Sequence, residues 1–368
     1  MGPSMTRRRL SSALAAAVLA VLPAHAQRLW PEPEGPVEIR DEQLLAQPRL
    51  TLPPIGPDTV PRGRWSFRLG YLWSNSFGWT QDIPGETPTD RRFLIDGEAR
   101  TLDLNVARGV GGNAHVALRI PVRWRGGGSL DGLIDTWHRI FGLPQGGRSR
   151  FLKDAFRVEG VTQAGQPFSW NDERGTGLGN VEIEGRWRFT DGGRGGWRAA
   201  VAARVALPTG TAPFDADSAG FGVQVAAARR LAGPLDLFFG AGGLVQGPGP
   251  VRGIGYERQR LHAFLALEWR MFGFFHLVAE TDAASRLIRD IDRYPGLHWI
   301  TNVSGRIPIS SDSSTRRRYA IRWGLHCSRQ LFSAVCNERF PHRPWRRKRF
   351  SRRLTPRSRR IDSRSPLT

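Results

Sequence analysis

Two groups of side chains have the types and spacing to do chemistry. The first is Asp131, Asp135 and His138, whose i, i+4, i+7 spacing puts all three on one side of a helix, where they could converge on a cation or pass a proton. The expected reading of the same spacing is plainer, a solvated helix face with an Asp135–Arg139 pair. The second group alternates with apolar residues: Glu182, Glu184, Arg186, Arg188, Arg204, Glu268, Arg270, Glu280 and Asp282, with His262 and His276 in the same phase. Charges of both signs on one sheet face either pair across strands and fill an interior or border a narrow hydrated path. Filling is the default for a barrel of moderate size. The chain contains no G-x-S-x-G, H-E-x-x-H, P-loop or spaced Cys/His ligand set. No catalytic residue, metal or cofactor is therefore assigned, and the expectation is a protein that is not an enzyme. Gly109–Gly112 and Gly175–Gly179 look superficially like nucleotide loops. Neither lies between a strand and a helix in a βαβ unit, so both read as turn glycines.

The elements that must carry these charges are strands. From Arg64 the pattern has period two: Trp65, Phe67, Leu69, Tyr71 and Trp73 are large and apolar, and the residues between them are mainly small or charged. The pattern returns at 102–106, 116–124, 181–189, 197–207, 221–227, 235–244, 261–269 and 275–279, and more weakly at 297–304 and 319–325. Most runs are about 9–12 residues, the length of a tilted strand crossing an outer membrane, and tryptophans sit near their ends. Short turns (108–113, 191–196, 232–234, 272–273) alternate with long loops (74–91, 208–219, 247–255, 284–296), provided 126–177 is one excursion. That alternation is the loop parity of an up-and-down barrel. A soluble sandwich also alternates, but its strands are usually shorter. The expected fold is all-β, an antiparallel transmembrane β-barrel of about 12 strands. Eleven strands are countable by Leu325, and closure calls for a twelfth.

The ends differ from the middle. Of the net charge of +21, Arg7–Arg9 supply three and Arg339–Thr368 eleven, leaving +7 over residues 27–338. Arg7–Arg9, the apolar run Leu10–Leu22 and Ala24-His25-Ala26 make an export signal over 1–26, too short to span a bilayer. Residues 27–61 hold a dense series of prolines, including Pro31, Pro33, Pro36, Pro48, Pro53, Pro54, Pro57 and Pro61. Such a segment forms neither regular helix nor sheet, and is expected as a periplasmic linker or an extended plug. The barrel is placed at 62–338. The Arg-rich stretch 339–368 is expected to be a disordered tail or the product of a shifted frame. Cys327 and Cys336 are the only cysteines, which excludes a disulfide-rich scaffold, and their pairing is left open.

Within the excursion, Ser129 can cap a helix running to about Phe141, with Leu130, Leu133, Ile134, Trp137, Ile140 and Phe141 on one side and Gly142 and Pro144 as its stop. Residues 154–161 and 166–170 then read as a hairpin around Ala164-Gly165. Here the chain resembles the uncharacterised proteobacterial barrel proteins known as domain of unknown function 3187. The resemblance is carried by Asp96-Gly97-Glu98 and by the stretch from Gly127 through Leu130-Asp131-Gly132, Asp135-Thr136-Trp137-His138 and Phe141-Gly142-Leu143-Pro144 to Arg148. It spans roughly residues 45–340 and implies a barrel in the bacterial outer membrane, with no established reaction. The tail departs from the family pattern by losing alternation where a last strand is expected. Three roles are open: passive passage or binding of a small solute, a structural or partner-docking protein that uses helix 129–141, and a nucleic-acid binder working through the tail. The third leaves the export signal unexplained, so no specific nucleic acid is expected. The expected partners are outer-membrane lipid, the barrel-assembly machinery and an unknown small solute.

Overall fold

In a computed structural model of the chain, residues 35–80, 93–143, 145, 147–193, 196–214, 216–272, 275–292, 294–311 and 318–328 are described. The expected export signal and Arg-rich tail lie outside them. Period-two alternation becomes strand where it was read. In chain order come β1 (Trp65–Trp79), β2 (Phe93–Gly109), β3 (Ala114–Gly126), helix α1 (Leu130–Phe141) and a single 3-10 turn at Arg148–Arg150. The short strands β4 (Arg157–Val161), β5 (Pro167–Ser169) and β6 (Gly175–Leu178) follow. Then come β7 (Glu182–Asp191), β8 (Arg198–Ala206), β9 (Gly220–Ala232), β10 (Leu235–Gln246), β11 (Gln259–Phe272), β12 (Phe275–Ser285), β13 (Leu297–Ser311) and β14 (Arg318–Ser328).

The eleven long strands among the described residues pair antiparallel with their neighbours in sequence, β3 pairing with β7 across the excursion. Their connections keep strict parity. The breaks at 110–113, 192–197, 233–234, 273–274 and 312–317 are short, and those at 80–92, 127–181, 207–219, 247–258 and 286–296 are long. β1 runs six residues past Trp73, so the first long loop begins at Thr80, later than expected. A second correction concerns Gly175–Leu178, which is strand rather than turn. β6 pairs with Val122–Arg125 and fills the wall where β7 has not yet begun. The glycine there makes room for a neighbouring loop, since a Cβ on Gly177 would lie 2.4 Å from Thr211 Oγ1. The twelfth strand would lie past Ser328, outside the described residues.

The sheet curls. Laid flat, β1 and β12 would be roughly 40 Å apart at the usual strand spacing. Yet the Val37 amide bonds to Glu280 on β12, while the next residue, Glu38, pairs with Arg68 on β1 and Arg186 on β7. The wall therefore wraps around the N-terminal segment. Among the described residues, β1 pairs only with β2 and β14 only with β13. The alternation also runs opposite to that of a soluble sandwich. Phe67 and Leu69 are 71% exposed, while Glu268, Arg270 and Arg306 are fully buried. The large apolar side chains face out and the charges face in, as lipid outside and a packed interior demand. At the long-loop end an apolar cluster caps the interior. It is built from Leu44 and Leu45, Phe156, Trp170 and the loop residues Ile254, Tyr256, Leu287 and Ile291.

Candidate functional site

Residues 35–60 run up through the interior to the long-loop end and back down. Prolines at 36, 48, 53, 54 and 57 keep both limbs extended and out of the ladder. A tight turn joins the limbs, with Gln43 O accepting from the amides of Ala46 (2.8 Å) and Gln47 (3.1 Å). The rising limb is held by charge. The Gly35 amide donates to Glu268 Oε2 (2.8 Å), Arg306 to Gly35 O (2.8 Å), and the Val37 amide to Glu280 Oε2 (2.9 Å). Arg40 forms a two-pronged pair with Glu182 (3.0 and 2.7 Å) and also donates to Thr51 O of the other limb (3.0 Å). Glu42 accepts from Thr101 (2.8 Å) and Arg119 (3.2 Å). The falling limb is held by apolar packing and two more ion pairs. Ile55 sits among Ala202, Ala226, Ala228, Phe238 and Phe264, and Asp58 receives Arg198 (2.7 Å) and Arg188 (3.5 Å).

The inward charges read from the sequence surround this segment. Glu182, Glu184, Arg186, Arg204, Glu268, Arg270 and Glu280 are buried on the interior side, with Arg188 and Asp282 partly so. They engage one another as well as the segment. Glu182 takes Arg119 (2.9 Å); Glu184 takes Arg186 (2.7 Å) and Arg204; Glu268 takes His276 (2.7 Å); Arg270 takes Asp236 (2.7 Å); and Asp282 lies 3.5 Å from His262. Burial alone would raise the carboxyl of Glu38, but the guanidiniums of Arg68 and Arg186 outweigh it and hold that carboxyl well below the ordinary carboxylate range. A cavity of about 20 Å³ between the segment and β10–β13, lined by Asp41, His262, Asp282 and His298 among others, has room for little more than one water. Among the described residues, no group of His, Cys, Asp or Glu is arranged to hold a metal ion.

Small residues on the inner face of β8–β10 are what admit the falling limb. A Cβ on Gly222 would come 2.9 Å from Leu52, and one on Gly220 3.0 Å from Leu50. This was the missed signal. Ala200, Ala202, Ala206, Gly220, Gly222, Ala226 and Ala228 all share the inward phase, and so many small inward residues leave space that some other part of the chain must fill.

The excursion forms a second site, on the outside of the wall. Asn75 shares the outward phase of Trp65–Trp73, and Asp96, Glu98 and Arg100 share that of Leu102 and Leu104. Helix α1 covers this polar patch. Asn75 donates to Asp131 (3.1 Å), Asp131 pairs with Arg148, and Arg148 reaches back to Asn75 (3.1 Å). Asp131 Oδ2 also accepts from the Asp154 amide (2.7 Å). Glu98 accepts from Trp73 Nε1 (2.6 Å) and the Leu130 amide (2.5 Å). Its carboxylate thus caps the helix, a role expected of Ser129, whose side chain makes no capping bond. Gly128 is needed for this fit, because a Cβ there would fall 1.6 Å from the Glu98 carboxyl carbon. Gly97 lies on the inner side against Phe156 and Leu44. The expectation of a solvated Asp131–Asp135–His138 face is overturned. Asp131 and His138 are buried, Asp135 pairs with Lys153 (2.5 Å), and the side carrying Trp137 is the exposed one. The reason is the polar patch on the wall, which takes the helix's polar side as its partner. The three side chains do not meet at one cation.

A model of the family described as "Protein of unknown function (DUF3187)" matches residues 10–294. The chain belongs to the DUF3187 family. The match includes both stretches that carried the resemblance, and in this DUF3187 protein they meet as the clamp of α1 on the wall. No curated protein matches the chain by sequence. Among solved structures, it is similar to the COG4313 outer membrane channel from Pseudomonas putida F1, at 8% identity and a TM-score of 0.47, over 76% of this chain and 93% of that one. It is also similar to the P. putida toluene transporter TodX (10% identity, TM-score 0.33, 71% of this chain and 72% of that one). A third is the CymD monoaromatic hydrocarbon channel (8% identity, TM-score 0.30, 73% and 86%).

Proposed function

We propose that this DUF3187 protein is an outer-membrane β-barrel for the passage or binding of a small solute, held shut by its own residues 35–58. One observation carries the reading. The wall is apolar outside and charged inside, and what occupies the inside is an extended, ion-paired segment of the same chain rather than a second apolar layer. No helix among the described residues is long and apolar enough to cross a membrane. An export signal and assembly by the barrel-assembly machinery belong to the same proposal. Two extended limbs side by side occupy a width of roughly 10 Å, so their withdrawal would leave a passage for small solutes only. The inward carboxylates and guanidiniums engage the segment and one another, which supports a gate in preference to a catalytic centre.

The test is uptake of small radiolabelled sugars and amino acids by proteoliposomes carrying the full chain. Uptake above that of empty liposomes, stimulated when Arg40 is replaced, is the expected result. No uptake by either protein, with both inserted and rich in strand, overturns the reading.

A further inference from the structure

We infer that helix α1 is a lipid-inserted brace, its apolar side lying among the acyl chains and phosphates of the leaflet at the long-loop end. The inference rests on the membrane reading above. The clamp at Asn75, Glu98, Asp131 and Arg148 fixes the helix against the outside of the wall, so what lies beyond it is whatever surrounds the barrel. A helix of a water-soluble protein turns its apolar stripe toward the protein. This one turns its carboxylate and imidazole inward and leaves Leu133, Trp137, Ile140 and Phe141 64, 44, 69 and 58% exposed. The inversion is the same as in the strands. The helix begins four residues after β3, whose outward Val122 and Trp124 lie directly below the covered patch. By hiding Asp96 and Glu98 under its polar side, α1 replaces a carboxylate patch with an apolar one at a height where lipid would otherwise meet bare charge. Exposed Arg139 and Arg150 flank the apolar side, with Arg150 over the Trp79 ring at 5.5 Å. This is the arrangement of an interfacial helix, with cations at phosphate level and an aromatic at the boundary.

Site-directed spin labelling tests it in the full chain, with Cys327 and Cys336 replaced by serine and the protein inserted in phosphatidylethanolamine–phosphatidylglycerol vesicles. Single labels go at Leu133, Ile140, Thr136 and, on the outward face of β1, Leu69. The readout is accessibility to oxygen, which partitions into lipid, against a water-soluble nickel chelate. The expected result is an oxygen-favoured ratio at Leu133 and Ile140 that matches Leu69, with the reverse ratio at Thr136 on the helix flank. Nickel-favoured ratios at Leu133 and Ile140 beside an oxygen-favoured Leu69 overturn the brace while the membrane wall stands. Nickel-favoured ratios at all four positions overturn the membrane reading itself.

Discussion

Replacing Arg40 with leucine should open the lumen. In the docked segment this guanidinium makes the two-pronged pair with Glu182 and the bond to Thr51 O that ties the limbs together, with both ionic partners 7% exposed or less. Removing one member of a buried pair costs about 3–5 kcal/mol when the other is left alone. Glu182 is not left alone, because Arg119 stays at 2.9 Å and Arg204 at 3.8 Å, and leucine avoids the cost of burying the guanidinium. About 2–3 kcal/mol is the resulting loss, and it falls wholly on the docked state because only docking brings Arg40 to Glu182. At about 1.4 kcal/mol per tenfold, the undocked population rises roughly 30- to 150-fold. Single-channel recording in planar bilayers reads this as an increase in open probability. Arg68→Ala is the control. Its side chain is 39% exposed and Glu38 keeps Arg186, so after screening the loss is at most about 1 kcal/mol, or about fivefold. An R40L protein that inserts normally and gates like wild type would refute the idea that the segment closes the lumen.

Acid should act through Glu38. Its carboxyl titrates lower docked than released, so its contribution to docking is complete above the ordinary carboxylate pKa of about 4.3 and fades as pH falls below it. Open probability is expected to rise as pH falls below about 4.3, with a smaller rise in Glu38→Gln; equal rises in the two proteins would contradict this. Gly222→Val should expel the falling limb by its clash with Leu52 and raise conductance, whereas Gly243→Val, whose Cβ would meet nothing closer than 3.6 Å, should not. Gly128→Ala should lift α1 off Glu98, seen as faster proteolysis within 142–153. Gly132→Ala, with open space at its Cβ, should leave proteolysis unchanged and raise helix stability by up to about 1 kcal/mol.

The wall was legible because lipid and lumen impose opposite preferences on alternate residues, and that alternation survives in a single sequence. Loop parity carried the strand order for the same reason. The plug was legible only as one of two alternatives, linker or plug, and its contacts were not legible at all. Its partners lie as far as 271 residues away, as between Gly35 and Arg306, and a proline-rich stretch has no period from which to read a contact. Its imprint was nevertheless present on β8 and β9, in small residues where inward charges stand elsewhere. The helix wheel sorted α1 into its two sides, and the error was to give the polar side to water. Asn75, Asp96 and Glu98 break the outward apolar phase, and that break marks where something polar must cover the wall. The family motif then has a physical content. Glu98 caps a helix it is not part of, Gly128 makes room for it, and Asp131 with Arg148 fastens the helix down.

On the proposed reading the closed state is held by ion pairs between the wall and its own N-terminal segment, and such pairs respond to mutation, acid and salt more readily than an apolar core does. The most direct test of that arrangement is to compare, in planar bilayers, the intact chain with one lacking residues 35–58, both shown by circular dichroism to keep the same strand content. The account predicts long, steady openings from the shortened protein and rare, brief ones from the intact protein. Equal conductance and equal gating in the two would contradict it.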